Sequence, residues 1–246
     1  MMLQNKERFL EYLQQNYQIN NIEQIYPPTV GKSNIFFKGN VIETDNKIFI
    51  KYDMNYCGSS TREAQILQLP KFKNSPYFSN VICYEDNDFP FVAFEFIEGI
   101  MLNDVLSNLD LRYELLHNKK QKKRILLQLI DIMKILDEEK IVHRDIHPKN
   151  IIVTRNRNDK IDKLILIDFS FSVGVNRFPE LPYLIASKRL KFLGTKYYKP
   201  ETYKWDNQYS IAKIATEIEP NCDKEFPDIW NEIYSFKEKL IYKLTL

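Results

Sequence analysis

Apolar positions follow two different periods along the chain. From residue 2 to 17, Leu10, Leu13 and Tyr17 recur at helical spacing and predict an amphipathic helix. "YPPT" at 26–29 stops any helix, because proline lacks the amide hydrogen and clashes with the preceding turn. Short runs rich in β-branched and aromatic residues follow at 34–43, 47–53, 81–86 and 91–97, and predict strands of an antiparallel sheet. Between the second and third of these, 59–72 reads as a helix. Ser60 or Thr61 is its expected cap and Pro70 its expected stop, with Arg62, Glu63, Ala64 and Leu67 inside it. After residue 97 the character changes. Ile125, Leu126, Leu129, Ile132, Met133 and Leu136 form one face of a strong helix over 122–140. Residues 163–168 read as a short buried strand, and 207–219 and 226–244 as helices. The pattern predicts an α+β chain with a helical extension at 1–25, a sheet-rich lobe at 26–97 and a mainly helical lobe at 98–246.

Composition changes this picture little. The chain is 44% hydrophobic and 28% charged, as globular proteins are. No apolar run reaches the roughly 18–20 residues of a membrane span. Lys and Arg number 35 against 33 Asp and Glu, a net charge of +2 that exerts no global pull on nucleic acid or anionic membrane. Lys6, Glu7, Arg8 and Glu11 break up the N-terminal stretch, which therefore does not read as a signal peptide. Three scattered cysteines, Cys57, Cys83 and Cys222, read as free thiols in a reducing, cytoplasmic setting. The local exception is "HNKKQKKR" at 117–124. It reads first as a solvated loop leading into a helix, and second as a patch for phosphate or an acidic partner.

Chemistry concentrates in "IVHRDIHPKNIIV", 141–153, where His143, Arg144, Asp145, His147, Lys149 and Asn150 lie between two apolar runs. A second acid, Asp168, ends the buried run of "LILIDFSFS". Two carboxylates and an amide at breaks between apolar segments are oxygen ligands for a hard cation such as Mg²⁺. Phosphoryl transfer needs such a cation on the phosphate oxygens and one acid to take the attacking hydroxyl's proton.

"HRDIHPKN" followed by "IDFS" resembles the catalytic loop and metal-binding motif of the protein-kinase superfamily, over about residues 28–220. The resemblance implies a bilobal kinase-like fold: an antiparallel-sheet N-lobe with one αC-type helix, a shortened helical C-lobe, and ATP and Mg²⁺ as cofactors. Lys51 stands in the place of the family's phosphate-binding lysine, and Glu63 in that of the helix glutamate that holds it. Asp145 would be the base, and Asn150 and Asp168 the Mg²⁺ ligands. "FEFIEG" resembles the linker whose main chain contacts adenine, at Glu95, Phe96 and Ile97. "FLGTKYYKPE" resembles the end of an activation segment, with Ser187 and Thr195 as candidate phosphorylation sites and Pro200-Glu201 as its anchor. Glu180 or Glu201 is expected to satisfy Arg144 without any phosphate.

The match has departures. "TVGKSNIFFKG" offers only Gly31 and Gly39 where the family has three glycines, and Phe49 stands where a small alanine usually lies against the adenine. Ser170 replaces a glycine, and His147 replaces the catalytic-loop lysine, whose charge Lys149 could supply. "IHPKN" is similar to the loop of aminoglycoside and choline phosphotransferases. Three functions follow: a compact Ser/Thr-type protein kinase, a small-molecule kinase (for a sugar, an antibiotic or a lipopolysaccharide core), or a pseudokinase working as a binding module. The acceptor is a protein or small-molecule hydroxyl, and no nucleic-acid partner is expected.

Overall fold

Alternation along the strands builds the first unit. In β3 (Lys47–Asp53), Ile48, Ile50 and Tyr52 are buried on one sheet face, while Phe49 and Lys51 point to the other. The structure is a computed structural model that describes residues 2–26, 34–157, 160–182, 185, 190, 196–198, 201 and 203–244. Gly31, Ser187, Gly194, Thr195 and Pro200 lie outside the described residues.

The chain divides into two compact units, Met1–Gln68 with Ser79–Phe96, and Leu69–Phe78 with Ile97–Leu246. The first holds a five-stranded antiparallel sheet in the order β1-β2-β3-β5-β4. Its strands are β1 (Ile19–Gln24), β2 (Asn34–Val41), β3, β4 (Val81–Glu85) and β5 (Phe91–Glu95). The predicted helix forms as α1 (Met2–Tyr17). It buries Phe9 and Leu13 against Ile48, Ile50, Tyr52 and Phe91, and the Phe9 ring stacks on Tyr52 at 4.1 Å. Full burial of each such side chain contributes about 1.5–3 kcal/mol.

α2 (Ser59–Leu67) begins at Gly58, not Ser60 or Thr61. Gly58 has φ 75°, which costs glycine nothing, and the Asp53 carboxylate accepts from the Cys57 and Ser59 amides to fix the approach. Pro70 does not stop α2 but opens the next helix, α3 (Pro70–Lys73), at a first-turn position where a missing N–H is harmless.

The second unit is mainly helical and matches the α+β class expected. α4 (Leu102–Ser107) and α5 (Leu109–Leu116) lead to α6 (Lys119–Glu138), whose predicted apolar face is buried throughout. α6 starts earlier than expected, because the Asn118 side chain accepts from the Lys120 amide and caps it. The basic run is therefore a helical turn and not a loop. β6 (Ile100–Met101), β8 (Ile151–Arg155) and β9 (Ile161–Leu166) form a three-stranded sheet, and β7 (Ile141–Val142) pairs with β10 (Val173–Gly174). Gly99 is required at the edge of the former, since a Cβ there would meet Val153 O at 2.8 Å.

The expected helix over 226–244 is shorter. After α7 (Asn207–Ile218) and α8 (Cys222–Glu225), α9 (Pro227–Ser235) ends, Glu238 takes φ 64°, and the chain returns as β12 (Ile241–Lys243) beside β11 (Lys204–Asp206).

Candidate active site

In the first unit, the β3 register sets Lys51 opposite Phe36 and Val92, on the face away from α1. Its ammonium lies 2.8 Å from Glu63 Oε2 on α2, and both side chains are almost wholly buried, at 4% and 3% exposure. A buried charge pair of this kind holds only while both members are present. On the same sheet face, the rings of Phe36, Phe49 and Phe94 form a stacked row at 5.7 and 6.4 Å. At the end of β5, the Glu95 amide donates to Asn80 O and the Phe96 amide to Lys47 O.

In the second unit, β7 delivers the chain into a loop that is pinned from several sides. The His143 amide donates to Asn207 Oδ1, and Asn207 Nδ2 donates to Ile141 O. His143 is fully buried. Its Nδ1 accepts from the Asp145 amide at 3.2 Å, which assigns the proton to Nε2, facing Ile167 O at 3.2 Å. Burial pushes its pKa down to about 4, against the pull of Asp145 and Asp168. The neutral ring is therefore favoured by folding. Stability should be complete above the unfolded pKa of about 6.5 and fall as pH drops toward about 4, by on the order of 3 kcal/mol. Urea unfolding at neutral pH and near pH 5 checks this; His143→Phe should flatten that slope.

The loop holds Asp145 by both oxygens. Asn150 Nδ2 donates to Asp145 Oδ2 and to its main-chain carbonyl, both at 2.9 Å. The Tyr198 hydroxyl donates to Oδ1 at 2.5 Å, and His147 Nε2 lies 3.4 Å from that oxygen. The Ile167 amide donates to Asn150 O at 3.0 Å, so one main-chain bond ties the Asn150 turn to the residue before Asp168. Asp168 takes φ 64° and its Oδ1 accepts from the Ser170 hydroxyl at 2.7 Å. Such a backbone costs about 1–3 kcal/mol and is kept by its surroundings. Here Phe169 is clamped by Phe72, Phe78 and His143, with ring centroids at 5.5, 5.8 and 4.4 Å.

The sequence pattern of the family described as "Protein kinase domain" matches residues 43–214, well over half of the 246-residue chain. This chain belongs to that family. It is a family of phosphotransferases, and the order Lys51, Glu63, Asp145, Asn150, Asp168 falls wholly within the matched stretch. Among relatives, the chain is similar to the protein named "Probable serine/threonine-protein kinase KIN1 homolog" of Enterocytozoon bieneusi, 27% identical over 72% of this chain and 29% of that one. It is also similar to serine/threonine-protein kinase D of Synechocystis, 35% identical over 42% of this chain and 16% of that one. CDPK-related kinase 5 of Arabidopsis thaliana is 28% identical over 51% and 20% respectively. The chain thus spans under a third of the length of these relatives.

Against the kinase pattern, three placements stand out. Lys149 is exposed, and the structure does not bring its ammonium to Asp145; the group beside that carboxylate is His147. Glu201 pairs on the surface with Lys204 at 3.0 Å. Arg144, at φ 67°, grips Glu180 with both terminal guanidinium nitrogens at 2.6 and 2.9 Å, and its Nε donates to Phe171 O. The guanidinium lies over the rings of Trp205 and Tyr242, at 5.1 and 5.4 Å, and Tyr242 belongs to β12, beyond the matched stretch.

Sequence reasoning missed Tyr198, Asn207 and the Phe72–Phe78 clamp. For Tyr198 the signal was slight: two adjacent tyrosines in the stretch that resembles the end of an activation segment, either of which could point inward. Burial and the Asp145 charge raise the Tyr198 pKa, so the phenol stays a donor. Tyr198→Phe should lower turnover by about 10- to 100-fold, the worth of a hydrogen bond to a charged group, with ATP affinity unchanged. Steady-state kinetics check this; a faster variant would show that the phenol obstructs the acceptor hydroxyl instead.

Proposed function

We propose that this chain is an ATP- and Mg²⁺-dependent protein kinase acting on serine or threonine hydroxyls, with Asp145 as the base. The observation that carries this reading is the Asp145 carboxylate, held by Asn150 and Tyr198 and left 15% exposed, on a loop bonded to the Asp168 strand. A base must be oriented and yet reachable, and this carboxylate meets both conditions.

Asn150 uses Nδ2 on Asp145, so its Oδ1 is the atom available to a cation, and Asp168 adds a carboxylate whose rotation Ser170 restricts. Two hard oxygens suit Mg²⁺, which takes few ligands from a protein and fills its shell with phosphates and water. Among the described residues, no cluster of three or more His, Cys, Asp or Glu side chains has metal-binding spacing. Bound Mg²⁺ would neutralise the phosphate oxygens. Lys51, fixed by Glu63, would carry positive charge to the α- and β-phosphates. Of the linker amides, those of Glu95 and Phe96 are engaged in the sheet, which leaves Ile97 N–H as the donor for the nucleobase. The stacked row through Phe49 offers that base an aromatic face. Gly31 would cover the phosphates.

A small-molecule acceptor is the second reading, favoured by His147 beside the base and by the surface position of Glu201. The complete set of five polar residues opposes a pseudokinase. No helix among the described residues is long and apolar enough to cross a membrane. Three free thiols support a reducing compartment such as the cytoplasm. Competition decides between acceptors: with ATP and Mg²⁺ present, a generic protein substrate should be labelled on serine or threonine and aminoglycosides or sugars should not. Labelling of the small molecules alone would overturn the protein-kinase reading.

A further inference from the structure

The helical unit carries a concavity that the phosphotransfer site does not use. A cavity of about 720 Å³ opens between α6 and the β8–β9 hairpin. On α6, Lys120, Lys123, Leu127 and Asp131 recur at helical spacing and form a stripe on its solvent side, beside the buried face. The hairpin brings Lys160 and Lys163 to the same cavity.

The charges there are out of balance. Five cations and two carboxylates line the cavity, and both carboxylates are already engaged: Asp162 with Arg124 at 3.2 Å, and Asp131 with the Tyr77 hydroxyl at 2.9 Å. Lys119 and Lys122, also on α6, pair with Glu225 and Glu219. Lys120, Lys123, Lys160 and Lys163 make no ion pair with a carboxylate among the described residues. Like charges that line one cavity repel one another. Leu127, 41% exposed, adds an apolar contact within the same stripe.

We propose that this cavity binds an acidic peptide segment of a partner protein, with the lysines taking its carboxylates and Leu127 an apolar side chain. Nucleic acid fits less well. The net charge of +2 gives no broad positive field, and the lining offers a single aromatic ring, Tyr77, for stacking.

The test uses the full chain without ATP and a short fluorescein-labelled peptide of glutamates around a central leucine. Binding by anisotropy should weaken at least about tenfold in the Lys123→Glu/Lys163→Glu variant, a loss of about 1.4 kcal/mol. Raising salt from low to physiological levels should weaken it as well. Lys123→Gln/Lys163→Gln should lose affinity in the same direction, should the charge reversal fail to fold. Phosphotransfer to a generic substrate should be unchanged in both variants, which separates this proposal from the reading of the catalytic loop. Equal binding by wild type and variants would overturn it. So would a preference for the lysine counterpart of the peptide, for an RNA oligonucleotide, or for phosphatidylserine vesicles.

Discussion

Asp145→Asn is expected to slow phosphotransfer by about 10²–10⁴-fold, the contribution of a positioned general base. ATP affinity should stay within about twofold, because a proton acceptor acts in the transition state and adds little to ground-state binding. The substitution keeps the size of the side chain but changes what it offers. Asp145 accepts from Asn150 Nδ2 on one oxygen and from the Tyr198 hydroxyl on the other. An asparagine has one acceptor oxygen and one NH₂ group, so one of those donors meets an N–H. Tyr198 can turn and accept, and the fold should therefore lose only about 1–3 kcal/mol. Single-turnover rates, nucleotide titration and a melting curve separate the three effects. Near wild-type turnover would remove Asp145 from the role of base.

Glu180→Ala carries the largest expected cost to stability, about 3–5 kcal/mol, because it leaves the buried Arg144 guanidinium without its carboxylate. Arg144 is wholly buried and Glu180 is 7% exposed. For a chain of this length such a loss lowers Tm by roughly 10 °C. Arg144→Met with Glu180→Leu should recover much of it, since removing both charges leaves nothing unpaired. The same pair bears on regulation. An arginine beside the base is where a phosphorylated segment is gripped in other kinases, and here a carboxylate already fills that grip. Phosphatase treatment should therefore leave activity within about twofold, followed by intact mass. Loss of activity on dephosphorylation, with recovery on phosphate return, would show that Glu180 does not do this work.

The strong signals in this sequence were the periodic ones. The buried face of α6 follows from regular spacing, the strands β3 and β5 from runs of β-branched and aromatic residues, and the order of the kinase motifs from residue identity. β1 escaped because "INNIEQ" is mostly polar and irregular: Asn21 has φ 50° and the register with β2 shifts between Asn20 and Glu23. The C-terminus misled for the opposite reason. Ile229, Trp230, Ile233, Tyr234, Leu240 and Ile241 keep a helical period, yet the chain breaks at Glu238 and pairs Trp205 with Tyr242 across two short strands. At the active site, Asn150 lies five residues from Asp145 and could be read from spacing. Tyr198 lies 53 residues away, and Glu180 36 residues from Arg144; only packing selects them.

The most direct measurement of the central claim is transfer from γ-labelled ATP by the purified chain. Label should enter serine or threonine of a generic protein substrate only when Mg²⁺ is present, vanish on chelation, and fall to background with Asp145→Asn. Nucleotide binding without label transfer to any acceptor, protein or small molecule, at any Mg²⁺ concentration, would contradict the account and leave the chain a binding module.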